Sequence, residues 1–322
     1  MDKFSIIFFL LFFPLQTNLA AAISEDSDRD GLADPFEQEL LARFLPKFMV
    51  SAKDCDGLPA EFQGGMKEPR PVAKNGTIYG QVFKSATYGR SGAFIEIHYY
   101  HLWAADCGYT GHALDVEHVS TLVVASHSDA PAAAWKALYW FSGAHEDTSC
   151  DASHGARAPD VGGELSGPTV WISAGKHASF LSPETCRGGC GGDECSEMRA
   201  LTPHQLVNLG EPGFPMNGAD WIGSSKWKLT AKMQPDFSEA TLASLDGAEK
   251  PGIVPLNRSQ ASIKAAARAG FSTGNALSIA DNKTDDALDA SADAAGRALN
   301  KSQKGVGGFL KRAWRGVVGV LK

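Results

Sequence analysis

Beyond its first fifteen residues the 322-residue chain has no apolar run long enough to cross a bilayer, which takes roughly 20 residues. It also lacks an excess of positive charge. Thirty Lys and Arg against 37 Asp and Glu leave a net charge of −7, which excludes a generally basic nucleic-acid binder. No G-x-S-x-G elbow, H-E-x-x-H helix, P-loop or dinucleotide fingerprint occurs, so the common hydrolase, zincin and nucleotide-binding signatures are missing. No repeat of 20–50 residues is visible either. Cysteine is scarce but even in number: Cys55, Cys107, Cys150, Cys186, Cys190 and Cys195.

What is present begins with an export signal. Lys3 gives a short positive region, Phe4 to Leu15 is apolar, and Leu19-Ala20-Ala21-Ala22 offers small residues to a signal peptidase. Residues 1–22 therefore read as a signal peptide, with an uncleaved anchor as the rival, and the protein as secreted or periplasmic. In that oxidising setting six cysteines predict three disulfides, and 15 pairings are open. Structural zinc on Cys186, Cys190 and Cys195 is the alternative for the glycine-rich stretch that holds them.

The remaining chain divides into four zones. Residues 23–47 carry an acidic loop and a helix, with Phe36, Leu40, Leu41, Phe44 and Leu45 at helical spacing and Pro46 as the stop. Residues 48–235 predict a β-sandwich. Thr77 to Phe83, Ala93 to Trp103, Val116 to Ala125, Ala137 to Phe141, Thr169 to Ser173 and Lys226 to Ala231 read as strands between Gly, Pro, Asn and Ser punctuation. Residues 236–300 turn rich in Ala, Ser and Asp, a linker or helical region, with Pro251 and Pro255 marking the linker. Residues 301–322 form a basic amphipathic tail. The fold class is thus mainly β: a sandwich with an N-terminal calcium loop plus helix and a C-terminal helical or partly disordered extension.

The acidic loop carries the most specific pattern. Asp26, Asp28, Asp30, Asp34 and Glu37 occupy positions 1, 3, 5, 9 and 12 of an EF-hand-type loop, with Gly31 at position 6. Calcium takes six to eight hard oxygens, and a chain wrapped round one ion turns alternate side chains toward it. Leu32 adds its carbonyl and packs its side chain inward. The plainer reading is an acidic linker with Asp34 capping the helix. The loop resembles the single calcium loops of dockerins and other extracellular modules, although no second loop follows. Ala52 to Gly57 echoes the spacing, but Ala52 and Gln63 fill its end positions, so it reads as a turn near a disulfide.

The centre is loaded with ligand-type side chains. Ile95, Ile97 and Tyr99 alternate with Glu96, His98 and Tyr100, and a second strand begins at Asp115. There Asp115 and Glu117 face one side and His118 the other, while His112 folds over the carboxylate face. Such a set suits Mg²⁺, Ca²⁺, Mn²⁺ or Zn²⁺. Plain hydrogen bonds and ion pairs are the alternative, and His118 reads as a core histidine. His145, followed by Glu146 and Asp147, offers a further ligand or acid–base pair, and His98 and His101 approach from the neighbouring strand.

Gly111-His112-x-x-Asp115-x-Glu117 resembles the G-H-R-H-D-W-E signature of the necrosis- and ethylene-inducing-like cytolysins, with Leu114 and Val116 in place of its second His and its Trp. Asp115-x-Glu117-His118-Val119 is similar to the D-W-E-H-V motif of the vacuolar-sorting-like β-sandwich family. Gly175-Lys176-His177-Ala178-Ser179-Phe180 is similar to that family's His-Ala-Ser-aromatic segment. These resemblances span residues 77–181. They imply a β-sandwich with a divalent ion held by Asp106, His112, Asp115 and Glu117; His177 reads either as a core histidine or, with Lys176 and Ser179, as lining the same cleft.

In the tail, Phe309, Leu310, Trp314, Val317 and Leu321 share a helical face with Lys311, Arg312 and Arg315 about it, a pattern for a membrane or cell surface, or for packing on the sandwich. Three functions remain open. One is a secreted metal-binding sandwich that binds a surface, lipid or glycan target. The second is a metal-dependent hydrolase with Glu117 or His145 as base. The third is a structural surface protein held by calcium and disulfides.

Overall fold

The computed structural model describes residues 25–256, apart from 86–89, 109–110, 147, 149, 188 and 190–191. The signal segment and the tail at 301–322 lie outside these residues. In chain order come α1 (Asp34–Phe44), β1 (Lys47–Ser51), the hairpin β2 (Glu61–Phe62) and β3 (Pro71–Ala73), then β4 (Ile78–Lys84), β5 (Ala93–Ala105), β6 (Ala113–Ala125), β7 (Lys136–Ser142) and β8 (His154–Arg157). They are followed by β9 (Thr169–Ile172), β10 (Ser179–Phe180), α2 (Pro183–Arg187), β11 (Met198–Ala200), β12 (Leu206–Asn208) and a second hairpin, β13 (Gly210–Glu211) and β14 (Phe214–Pro215). Helices α3 (Leu229–Lys232) and α4 (Glu239–Asp246) and strand β15 (Ile253–Pro255) complete the order.

The protein is mainly β. Seven strands form one sheet in the order β12-β4-β5-β6-β7-β8-β15, and four form another in the order β10-β9-β1-β11. The central pair β5 and β6 is antiparallel from Ala93↔Ala125 to Ala105↔Ala113. Both faces of β5 are covered, so it reads as a nearly continuous apolar and aromatic run. Ile95, Ile97, Tyr99 and Trp103 join Phe48, Val50, Val170 and Ile172 of the smaller sheet in the main core. The other face meets Trp221, Trp227, Leu229, Leu242 and Leu245.

Helix α1 belongs to the same core. Pro35 fits its first turn, Asp34 and Glu37 sit at its positive end, and Leu40, Leu41 and Phe44 are fully buried. Each of those burials contributes about 1.5–3 kcal/mol. Gly80 of β4 makes the approach possible, because a Cβ there would stand 2.3 Å from Leu41 Cδ2. Tyr99 Oη donates to the Leu41 carbonyl at 2.9 Å.

One expectation needs correction. Lys226 to Ala231 is no strand: it is a bend running into the single helical turn α3, with Trp227 and Leu229 buried. Six residues with every second one apolar fit either one helical turn or a short strand, and the Trp221 cluster decides for the turn. Residues 236–256 open the segment read as a linker or helical region; they carry the helix α4 and, beyond that reading, the short strand β15. Strand β15 closes the sheet edge by pairing with β8 at Ile253↔Ala156, and Pro255 lies within it.

Cys55 pairs with Cys107 and Cys186 with Cys195; Cys150 is disulfide-bonded too. No free cysteine occurs among the described residues, so the zinc alternative for that cluster lapses. No described helix is long and apolar enough to cross a membrane.

Candidate metal centre

The Asp26–Glu37 loop folds as a cradle. Arg29 and Gly31 take positive φ, 63° and 83°, which bends the chain back on itself. Leu32 N donates to Asp30 Oδ1 at 2.6 Å and Gly31 N to Asp26 Oδ2 at 3.2 Å, while the Leu32 side chain enters the core. Lys84 Nζ of β4 donates to the Gly31 carbonyl at 2.8 Å and docks the loop on the sheet. Asp34 is engaged by Ser27, whose N and Oγ both donate to it.

Inside the cradle, buried carboxylate oxygens have no partner. Both Oδ atoms of Asp28, Oδ2 of Asp30 and Oε1 of Glu37 are unsatisfied, and Asp28 and Glu37 are 2% and 0% exposed. Asn208 Nδ2 donates to the other Glu37 oxygen at 3.0 Å and orients it. Burial, then the neighbouring Asp30, raises the Asp28 carboxyl to about 7; burial, then Asp28, raises that of Glu37 to about 9. Orphaned buried anions are costly unless a cation compensates them. Ligand atoms of Asp28, Asp30 and Glu37 lie within 4.8 Å of one another, as do those of Asp26, Asp28 and Asp34. The donor set is all oxygen and fits Ca²⁺.

The second group sits where β5 and β6 open into a loop. Asp106, His112 and Asp115 present ligand atoms within 4.8 Å of one another. His112 Nδ1 donates to the Leu114 carbonyl at 3.1 Å, which leaves Nε2 turned to Asp106 Oδ2 at 3.8 Å. A histidine held this way by its other nitrogen is arranged as a metal ligand. Gly111 is required by space: a Cβ there would stand 2.4 Å from the Asp106 carbonyl oxygen. The His112 side chain is 59% exposed and that of Asp106 20%, while Asp115 is buried, so the group opens outward. Two carboxylates and one imidazole fit Mg²⁺, Mn²⁺, Ca²⁺ or Zn²⁺.

His177 joins this group from behind. Its Nδ1 contacts Asp115 Oδ2 at 2.8 Å, its Nε2 faces Asp54 Oδ2 at 3.4 Å, and its ring stacks on Trp103 at 3.8 Å between centroids. Burial works against the imidazolium, but Asp115 and Asp54 outweigh it and raise His177 to about 9. Burial likewise pushes Asp115 up, and His177 overcomes that to hold its pKa lowered. Burial, then Asp115, raises Asp106.

Asp54 escaped the sequence reading. It lies in the turn taken for a calcium-loop echo, where its Oδ1 accepts from Asp56 N and Gly57 N as an Asx turn. The Cys55–Cys107 disulfide ties that turn to the Asp106 loop, so one crosslink positions both carboxylates.

Glu117 is not brought into the Asp106 group. Its Oε2 pairs with Lys232 Nζ at 2.7 Å, and the same Nζ meets Glu146 Oε2 at 3.2 Å. Burial pushes the Glu117 carboxyl up, Lys232 opposes this, and it rests at about 7. His145 is also apart. Its Nε2 bonds both oxygens of Asp193 in the cysteine-rich loop, at 2.9 and 3.0 Å. His101 turns to Ser179 Oγ at 2.7 Å, and His98 lies on the opposite sheet face. Asp147 falls outside the described residues.

No family model matches the sequence, and no curated protein matches it. Among solved structures the chain is similar to one described as NLPPya in complex with glucosamine, at 18% identity and a TM-score of 0.35, over 59% of this chain and 79% of that one. It is also similar to necrosis and ethylene inducing protein 2 from the causal agent of cocoa's witches' broom disease, at 16% identity and a TM-score of 0.33, over 59% and 78%. A third, described as a toxin fold for microbial attack and plant defense, gives 17% identity and a TM-score of 0.32 over 53% and 72%. Overlap this loose transfers neither site nor activity.

Proposed function

We propose that the protein is a secreted binding protein whose Asp106, His112 and Asp115 hold a divalent ion at the surface, and that this ion engages sugar hydroxyls of a glycan target. The observation that carries the reading is the graded exposure of one ligand group. Asp115 is buried and fixed by His177, Asp106 is half-buried, and His112 is open. An ion held from one side keeps positions for outside oxygens, and its charge favours hydroxyl oxygen there. The Asp26–Glu37 loop, with Ca²⁺, fastens α1 to the sheet through Lys84 and Leu32. The basic tail at 301–322 would add contact with a membrane or cell surface. Retention of the protein on immobilised glycans, with Ca²⁺, Mg²⁺ or Mn²⁺ against EDTA, tests the proposal. Cation-dependent retention lost in Asp106→Asn supports it; retention indifferent to both overturns it.

A metal-dependent hydrolase is the second reading, favoured by the buried Glu117 carboxyl at about 7, a useful value for a general base. Turnover of an ester, phosphodiester or glycoside that Glu117→Gln abolishes while binding survives would select it.

A further inference from the structure

The face of the seven-stranded sheet turned away from the smaller sheet buries a second convergence of ligand atoms. His98 of β5 and His118 of β6 are diagonal cross-strand neighbours, since His98 pairs with Ser120 and Tyr100 with His118. Their rings stack at 5.4 Å with 14° between planes, and both are fully buried. Between α3 and α4, Asp236 points its Oδ2 at both Nε2 atoms, 3.0 Å from His118 and 3.6 Å from His98. Glu96 Oε1 lies 2.8 Å from the same nitrogen of His98, and its other oxygen is buried with no partner.

We propose that His98, His118 and Asp236, with the unpartnered Glu96 oxygen beside His98, form a closed site for a borderline divalent metal of the zinc class. Ligand atoms of His98, His118 and Asp236 lie within 4.8 Å of one another. Zinc holds nitrogen and oxygen ligands at about 2.0–2.1 Å, so neighbouring tetrahedral ligands stand about 3.3 Å apart, close to the separations seen. The hydrogen bonds around the site also ask for a cation. Gln81 Nε2 donates to Glu211, so Gln81 Oε1 receives the Tyr100 hydroxyl at 2.7 Å. Tyr100 Oη, its proton spent, accepts from His98 Nδ1 at 3.0 Å. The His98 Nε2 lone pair is then aimed at two carboxylates. On His118, Nδ1 faces Glu146 Oε2 at 3.2 Å, which turns its Nε2 to Asp236 in the same way. The hydroxyl behind His98 is the outer support that metal-bound histidines use, while behind His118 the Glu146 carboxylate stands at ion-pair distance.

Both carboxylates and both imidazoles are enclosed, so the site is structural and offers no open position. Its role is to pin the 229–246 segment, with Lys232, onto β5 and β6. It is independent of the Asp106 group on the other face and of the calcium loop. The rival occupants are two protons, one on each Nε2.

Cobalt distinguishes them. Chelator-stripped full-length protein titrated with Co²⁺ is expected to gain one equivalent of the intense visible absorption of tetrahedral cobalt, displaced by Zn²⁺. The band should persist in Asp106→Asn and Glu37→Gln and vanish in His98→Gln that retains native circular dichroism. Anomalous diffraction from zinc-soaked wild-type crystals needs no variant, and should place the ion between the two Nε2 atoms. Absence of the band from folded wild type, its survival in His98→Gln, or zinc only elsewhere overturns the proposal.

Discussion

The Nδ1 of His177 lies 2.8 Å from Oδ2 of Asp115, so one buried imidazole, flat against Trp103, fixes the deepest carboxylate of the Asp106 group. Removing it leaves Asp115 and Asp54 facing each other's charge without a counter-ion. His177→Ala is expected to cost about 3–5 kcal/mol, the range for breaking a buried pair. The pH dependence follows from the sign of the shift. The folded state binds the His177 proton more tightly than the unfolded chain, so this contribution is complete below about 6.5 and is lost as pH rises through about 9. Urea unfolding of wild type should weaken over that window, and His177→Ala should weaken less.

Glu37 gives a second test, with the same sign in pH and a calcium dependence that His177 lacks. Its carboxyl is raised from 4.5 to about 9 by burial and by Asp28, so without calcium it removes stability as pH climbs through that interval. Ca²⁺ should abolish the decline. Glu37→Gln at pH 8 is therefore expected to melt above wild type in EDTA and below it in Ca²⁺. At pH 8 the apo fold must take up a proton on Glu37 to bury it, and Gln spares that cost, on the order of several kcal/mol, which scanning calorimetry resolves. A variant that melts lower in both buffers would make the loop an ordinary hydrogen-bonded cap.

Gly111→Ala examines the loop geometry without touching a ligand. The new Cβ would press on the Asp106 carbonyl oxygen at 2.4 Å and Cys107 Cα at 3.1 Å, both backbone atoms that cannot swing aside. About 1–3 kcal/mol of strain is expected, together with loss of cation-dependent binding in a protein that still folds. Unfolding midpoints measured beside glycan retention separate the two effects.

The Cys55–Cys107 crosslink joins residues 52 apart in sequence. A loop of that size predicts about 4 kcal/mol of stabilisation on the chain-entropy model. Replacing both cysteines by Ser should lower the denaturation midpoint by a corresponding amount. It should also loosen the cation group, because Asp54 and Asp106 flank the bonded pair.

Much of this was legible in the chain. The carboxylate spacing of Asp26 to Glu37 located the cradle because its carboxylates are local, and the central strands announced themselves through β-branched and aromatic density. His112 and Asp115 were legible from local pattern, and Asp106, nine residues before Asp115, only through the resemblance to the cytolysin signature. What sequence could not show is contact across distance. Asp54, His177 and Trp103 meet only through the smaller sheet and a disulfide. Strand alternation put Glu117 and His118 on opposite faces, yet Lys232 and Glu146 link them at the strand end, where β6 no longer pairs with β7. Asp236 read as the first residue of a linker or helical region, and only the packing of α3 and α4 carries it to His98 and His118.

The central claim assigns recognition to Asp106, His112 and Asp115 and structure to the calcium loop. Glycan retention of Asp106→Asn and Glu37→Gln, each confirmed folded by circular dichroism and measured with and without EDTA, tests it most directly. Loss in Asp106→Asn with retention in Glu37→Gln is predicted; equal loss in both, or unchanged binding in Asp106→Asn, would contradict it.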